Sequence, residues 1–259
     1  MKPFSFRSLI LLAVLSIAGP LSFAQDESAQ PELSDEERAA KAKETVALAR
    51  SFLGNPDKLD AIKSIKMKGV LVYGSGQSGT VESVFKSPNY HQFISVIGGN
   101  RETSTLNRSE AWRKLENLQA PGAYQLTFYE PDDIRHLEAT VIDTLSFLET
   151  PATRNGRIEY LGMSEIAGQE AIMLLYVHNN RIWFRRYIHP ETGQVLHMVN
   201  DKGVIFSYEG TIEVDGVKFP EKTIVRVVTQ FGEQTMEISY SDISLNEEVD
   251  TDRFRVPQG

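Results

Sequence analysis

From Ile65 to Leu245 the chain is patterned mostly in period two, and turn signals cut that pattern at short intervals. Successive side chains on a strand point to opposite faces, so such a chain folds as a sheet. Ile65-Lys66-Met67-Lys68-Gly69 opens the pattern, and Gly74 to Gly79 forms the first turn. Strands are predicted over 80–86, 90–97 and 101–106, with a short one at 111–113. Residues 118–128 read as irregular, because Pro121-Gly122 sits inside them. Further strands are predicted over 158–163, 170–178, 181–189, 194–199, 204–214, 217–230 and 234–245. Asn179-Asn180 and Asp215-Gly216 are two-residue hairpin turns, which join antiparallel neighbours. In the last strand Met236, Ile238 and Tyr240 alternate with Thr235, Glu237 and Ser239, which implies one covered face and one wet face. The fold class is mainly β with antiparallel pairing.

Two segments break the period. Ser34-Asp35-Glu36-Glu37 has the form of a capping box, and a helix is predicted from there to Leu53, stopped by Gly54. Ala39, Ala42, Val46, Ala49 and Leu53 give it a narrow stripe of mostly small residues, suited to lying close on a sheet. A second short helix fits 56–62. The stronger interruption begins at Pro131, a residue suited to the first helical position, followed by Asp132 and Asp133. Ile134, Leu137, Val141, Leu145 and Leu148 then recur at spacings of three and four, which makes an amphipathic helix of about five turns, roughly 25 Å long.

The N-terminus has the form of a secretion signal: Lys2 and Arg7, the apolar run Leu9 to Ala18, then Ser22-Phe23-Ala24. Cleavage is expected after Ala24, and the apolar run is shorter than the roughly 20 residues that span a bilayer. Residues 25–33 are polar, carry Pro31 and read as a disordered lead-in, leaving 34–259 as the folded domain. A periplasmic location follows from the signal. The chain has no cysteine, which excludes disulfides, thiol catalysis and a lipid-bearing cysteine. Two of the 27 basic residues lie in the signal, so 25 face 35 acidic ones and the remainder carries −10. That balance argues against nucleic acid and against docking on anionic headgroups, but not against binding lipid tails.

Motifs of covalent chemistry are missing from the sequence. Gly74-Ser75-Gly76-Gln77-Ser78-Gly79 matches the dinucleotide fingerprint in letters, but a strand pattern follows where that motif needs a helix. It is read as a hairpin loop. His91, His136, His178, His189 and His197 fall in no metal-ligand spacing, although His178, His189 and His197 stand on strands that could bring them together. No Gly-x-Ser-x-Gly elbow occurs. Glu247, Glu248, Asp250 and Asp252 read as a solvated C-terminal face. Neither an enzyme, a metal nor a cofactor is expected. Phe93, Trp112, Phe128, Trp183 and Phe184 either fill an ordinary core or line a cavity for an apolar ligand.

The order of elements, helix, meander, central helix, long meander, comes with three local patterns. These are His189-Pro190-Glu191-Thr192-Gly193-Gln194-Val195-Leu196, then Val204 to Glu209 leading to Val214-Asp215-Gly216-Val217-Lys218-Phe219-Pro220, then Asp250-Thr251-Asp252-Arg253-Phe254-Arg255-Val256-Pro257. Together they resemble the outer-membrane lipoprotein-sorting, or LolA-like, superfamily from about Lys58 to the C-terminus. The resemblance implies a curved antiparallel sheet forming an incomplete barrel, with helices covering its concave face. It also implies acyl chains held between sheet and helices.

On this reading the protein is a monomeric periplasmic carrier whose partners are the acyl chains of a lipid or lipoprotein and the envelope proteins that exchange them. Ile134, Leu137, Val141 and Leu145 are expected to form the lid face, and Phe93, Trp112 and Trp183 the cavity wall. The alternative is an envelope sensor or protein-interaction module on the same fold, with a hydrolase ranked last.

Overall fold

The computed structural model describes residues 33–179, 181–230 and 232–257. The secretion signal, nearly all of the lead-in, and Asn180 of the expected hairpin turn lie outside the described residues. No described helix is long and apolar enough to cross a membrane.

Helix α1 (Asp35–Leu53) starts as its sequence dictates. Ser34 Oγ accepts from the backbone N–H of Glu37 at 3.3 Å, and the Glu37 carboxylate accepts from the N–H of Ser34 at 2.8 Å. Those Ser34 bonds hold the Glu37 carboxyl below its ordinary range. Ala42, Val46 and Ala49 are buried, and the small side chains bring the backbone close to its support. Gly193 shows how close: its φ is 77°, and a Cβ there would stand 2.6 Å from the carbonyl oxygen of Leu48. Helix α2 (Pro56–Asp60) is a short turn capped by Asn55.

Strands β1 (Ser64–Tyr73), β2 (Ser78–Lys86), β3 (Tyr90–Ile97), β4 (Asn100–Asn107), β5 (Glu110–Asn117) and β6 (Tyr124–Phe128) form one meander. Helix α3 (Pro131–Ser146) follows. The second meander is β7 (Arg157–Ile166), β8 (Gln169–Asn179), β9 (Ile182–Ile188), β10 (Val195–Asn200), β11 (Ile205–Glu209), β14 (Lys222–Thr229) and β15 (Gly232–Leu245). The two meanders meet where β15 pairs antiparallel with β1, giving 13 strands in the order β6-β5-β4-β3-β2-β1-β15-β14-β11-β10-β9-β8-β7. Because β6 and β7 are the outermost strands, α3 carries the chain from one edge of the sheet to the other. The sheet is curved and not closed into a barrel, and α3 lies on its concave face, as the resemblance implies. Gly69 sits at a bulge on the seam, where a Cβ would stand 2.1 Å from the carbonyl oxygen of Ser239.

Four local expectations are corrected. Residues 118–128 contain β6, and β5 runs on to Asn117. The strand expected over 204–214 breaks at Gly210, whose φ is 65°, and the one over 217–230 breaks before Lys222. The pieces β12 (Ile212–Val214) and β13 (Val217–Phe219) form their own two-stranded sheet, and Val217 and Phe219 cover the Ile65, Ile243 and Leu59 core. Finally α3 ends at Ser146, because Phe147 and Leu148 take positive φ values of 47° and 68°.

The faces are told apart by what covers them. Phe85, Leu106 and Ala111 pack under α3 on the concave side. Their neighbours in sequence point the other way, and there Val84 and Tyr90 pack on Val249 and Phe254. Phe254 lies in the closing 3-10 turn Thr251–Phe254, so the C-terminal tail folds back onto the outer face.

Candidate functional site

The site is built by α3 and the concave wall. The helix carries two stripes. Ile134, Leu137, Val141 and Leu145 form the apolar one, which packs on Phe85, Leu106, Ala111, Met67 and Tyr129. Val141 is at 0% exposure, so the stripe is seated. Asp133, His136 and Asp143 form the second stripe and reach the opposite wall, made by β8, β9 and the β10–β11 turn. Lys202 Nζ donates to Asp133 Oδ1 at 3.0 Å, and His136 Nε2 stands 3.4 Å from Asp201 Oδ2. Burial, aided by Lys202, pushes the His136 imidazole down to about 4, and burial pushes the Asp201 carboxyl up to about 6. At neutral pH this contact therefore joins a neutral imidazole to a carboxylate.

Deeper in, Asp143 is enclosed by charge partners. It accepts from Arg186 Nη2, and His178 Nε2 donates to its Oδ1 across 3.2 Å. Burial alone raises the Asp143 carboxyl, but Arg186 and His178 outweigh it and hold the group below the ordinary carboxylate range. Burial opposes the Arg186 charge, and Asp143 more than restores it. The guanidinium also stacks over the Tyr176 ring, 4.1 Å from its centroid.

The C-terminal end of α3 is anchored differently. Arg50 of α1, itself buried, donates from Nη1 to the carbonyl oxygens of Ser146 at 2.9 Å and Phe147 at 3.0 Å. A cation on the last free carbonyls complements the helix dipole. Phe147 and Leu148 are buried, and Tyr176 Oη donates to the Leu148 carbonyl at 3.2 Å. The helix is thus pinned at its C-terminus by core packing, and near its N-terminus by polar contacts to one turn.

Beside the helix the concave wall stays apolar. Leu71, Val81, Val225, Met236 and Ile238 are buried there, while Phe93, Ile97, Val204, Phe206 and Val227 around them are only partly covered. One polar pair interrupts this wall: Arg113 Nε lies 2.6 Å from Glu102 Oε1, and burial drives the Glu102 carboxyl up against the pull of Arg113.

Phe93 and the four helix residues therefore share the concave side. Trp112 and Trp183 do not join them. Ala111 faces α3, so Trp112 points to the outer face, where its Nε1 donates to the Phe254 carbonyl at 3.1 Å. It borders an outer-face groove of about 460 Å³ together with Gln92, Ile94, Thr103, Lys114 and Pro257. Trp183 alternates with Phe184 and carries the Arg185 guanidinium over its ring; Phe184 takes the concave position, edge-on to His178. The three histidines diverge as well. His178 meets Asp143, His197 bonds Ser207 at 2.8 Å on the outer face, and His189 caps the turn at Glu191 and Thr192. Among the described residues no cluster of three potential metal ligands forms.

Sequence reading missed Asp143, Arg186, His178 and Arg50. The spacing of Asp133, His136 and Asp143 was a usable signal, since it puts all three on one flank of α3. Acidic helix flanks are usually solvated, and only the partners on distant strands distinguish this one.

No protein-family model matches the chain, and no curated protein matches it. Solved structures do. A LolA superfamily protein from Nitrosomonas europaea superposes with a TM-score of 0.53 at 12% identity, covering 83% of this chain and 97% of its own. A DUF1329 family protein from Desulfovibrio piger reaches 0.49 at 11% identity, covering 83% and 97%. An outer membrane lipoprotein-sorting protein domain from Vibrio parahaemolyticus reaches 0.49 at 8%, covering 82% and 97%. The chain has the LolA-like fold.

Proposed function

We propose that the protein is a periplasmic carrier that holds acyl chains of a lipid or lipoprotein between its concave sheet and α3, without covalent chemistry. The observation that carries this reading is the apolar concave wall that continues past the helix. Phe93, Ile97, Val204, Phe206 and Val227 remain partly covered beside a helix whose stripe is seated at Leu137 and Val141.

The magnitudes favour an exchange. Burying a methylene is worth roughly 0.8 kcal/mol, so a chain of about 16 carbons gains on the order of 10 kcal/mol by leaving water. Of the four stripe residues, buried Leu137 and Val141 gain about 1.5–3 kcal/mol each and partly buried Ile134 and Leu145 roughly half that, or about 5–9 kcal/mol together. Chain and stripe are nearly equal competitors for one wall, so entry and release need only a small shift in α3. The anchored end at Arg50 acts as the pivot, and the contacts to Asp201 and Lys202 act as the latch. Native mass spectrometry of protein purified from its own envelope tests the reading. A bound lipid or acylated peptide is expected, and repeated empty spectra count decisively against it.

A second reading rests on the edge strand β6. Tyr124-Gln125-Leu126-Thr127-Phe128 carries no charge, and Phe128 is 64% exposed. Uncharged edges accept a further strand, as an interaction module would use them. A co-purified partner released by Leu126→Lys would favour this reading.

A further inference from the structure

The carrier reading leaves open what kind of amphiphile fits, and the concave wall contains a group that narrows it. Arg186 on β9 is 5% exposed, a full positive charge inside the half-barrel. Its surroundings are Tyr176 under the guanidinium, His178 beside Asp143, and Met198 as its register partner on β10. The carboxylate that answers it belongs to α3, the element that must move for a chain to enter. Arg186 Nη1 has no hydrogen-bond partner among the described residues. The guanidinium therefore holds one nitrogen bonded to the lid carboxylate and one buried nitrogen without a partner among the described residues.

A buried arginine that loses its only anion is strongly unfavourable, whereas one that exchanges anions is not. Any ligand that lifts Asp143 away must leave Arg186 bare or bring a replacement. An apolar chain alone answers the exposed stripe and leaves the charge. A chain ending in a planar or tetrahedral anion answers both, and its two oxygens match the two terminal nitrogens of a guanidinium.

We propose that Arg186 docks the anionic headgroup, carboxylate or phosphate, of an amphiphilic ligand, and that Asp143 occupies this place in the empty protein. The inference rests on the carrier reading and deepens it by naming the ligand class. The acidic lid residue is then a built-in competitor that keeps the site shut against neutral lipids.

The test compares oleate with oleyl alcohol, equal in chain and different in charge, by displacement of a fluorescent probe from the full chain after removal of its leader. Free acetate and inorganic phosphate are added as chain-free anions. A charge-assisted hydrogen bond retained in the site predicts that wild type prefers oleate by about 30-fold. Asp143→Asn removes the competitor that either ligand must displace and should raise the affinity of both by about tenfold, with the preference for oleate kept because Arg186 remains. Arg186→Gln should abolish the preference. Because that change strands Asp143, the paired Asp143→Asn/Arg186→Gln variant, which removes both charges together, carries the measurement if the single variant does not fold. Equal binding of oleate and oleyl alcohol in wild type and variants overturns this inference and leaves the carrier reading standing. Binding of neither ligand to any form overturns the carrier reading itself. Acetate or phosphate competing as well as oleate overturns the amphiphile assignment, because a free-anion site would then suffice.

Discussion

Val141→Glu places a carboxylate at the centre of the seated stripe. Val141 is at 0% exposure among Phe85, Leu106, Ala111 and Leu137, an apolar cluster. The substitution loses the burial of the valine, about 1.5–3 kcal/mol. It also strands a carboxylate, and leaving a buried charge unpaired costs about 3–5 kcal/mol. The sum, about 5–8 kcal/mol, is comparable to the whole attachment of the helix stripe. The 13-stranded ladder does not depend on that stripe, so α3 is expected to detach while the sheet persists. Far-ultraviolet circular dichroism should show the helical signal of α3 lost and the strand signal kept. Titration with a fluorescent fatty-acid probe should show binding weakened at least tenfold, since the chain loses one wall. Val141→Ala is the matched control. It deletes about 1.6 kcal/mol of transfer free energy at 0.8 per methylene. Adding the residual cavity, it should lower Tm by about 4–8 °C, at 2–4 °C per kcal/mol for a domain of this size, with α3 in place. Cooperative unfolding of the whole sheet in Val141→Glu, in a protein whose wild type never binds the probe, would refute the reasoning and leave α3 as plain core.

Three further outcomes are expected. Arg50→Met removes two charge-assisted bonds to the Ser146 and Phe147 carbonyls, a loss of about 3 kcal/mol; hydrogen exchange should accelerate at the C-terminal turn of α3 before it does so in β1 or β15. His91 is buried against Phe85 and Ser83, and burial holds its imidazole down at about 4. A lowered folded pKa means that its stabilising effect is complete above the unfolded value near 6.5 and is lost as pH falls towards 4, about 3 kcal/mol in all. Urea midpoints at pH 7 and 4.5 should therefore fall less for His91→Gln than for wild type. Asp201, raised to about 6, has the opposite sign and gains as pH falls through that value, so its latch with His136 should change little over the same range. Phe254→Ala empties a fully buried site under the tail and should cost about 3–5 kcal/mol. Trp112, bonded to the Phe254 carbonyl, should report it by a red shift in emission.

What can be read without coordinates is whatever is settled within a few residues. The capping box at Ser34, the helix begun by Pro131, the hairpin at Asp215-Gly216 and the alternation in β15 each carry their own signal, and each stands where it was expected. Strand β6 went unread because Pro121-Gly122 just before it marked the whole stretch as irregular, although Tyr124, Leu126 and Phe128 alternate with Gln125 and Thr127 over its five residues. Parity along β5 and β9 says that Trp112 opposes Ala111 and Trp183 opposes Phe184. Which parity meets the helix depends on bulges at Gly69, Gly162 and beyond Val177, whose register no local pattern sets. The charged half of the site is more distant still. Asp143 meets Arg186 across 43 positions and Arg50 meets Ser146 across 96, so these partners exist only once the second meander and α1 have each been brought against α3. Local chemistry therefore determines the elements and their periods, while the fold decides which face is covered and which charges are enclosed, because burial and pairing belong to residues that are neighbours in space alone.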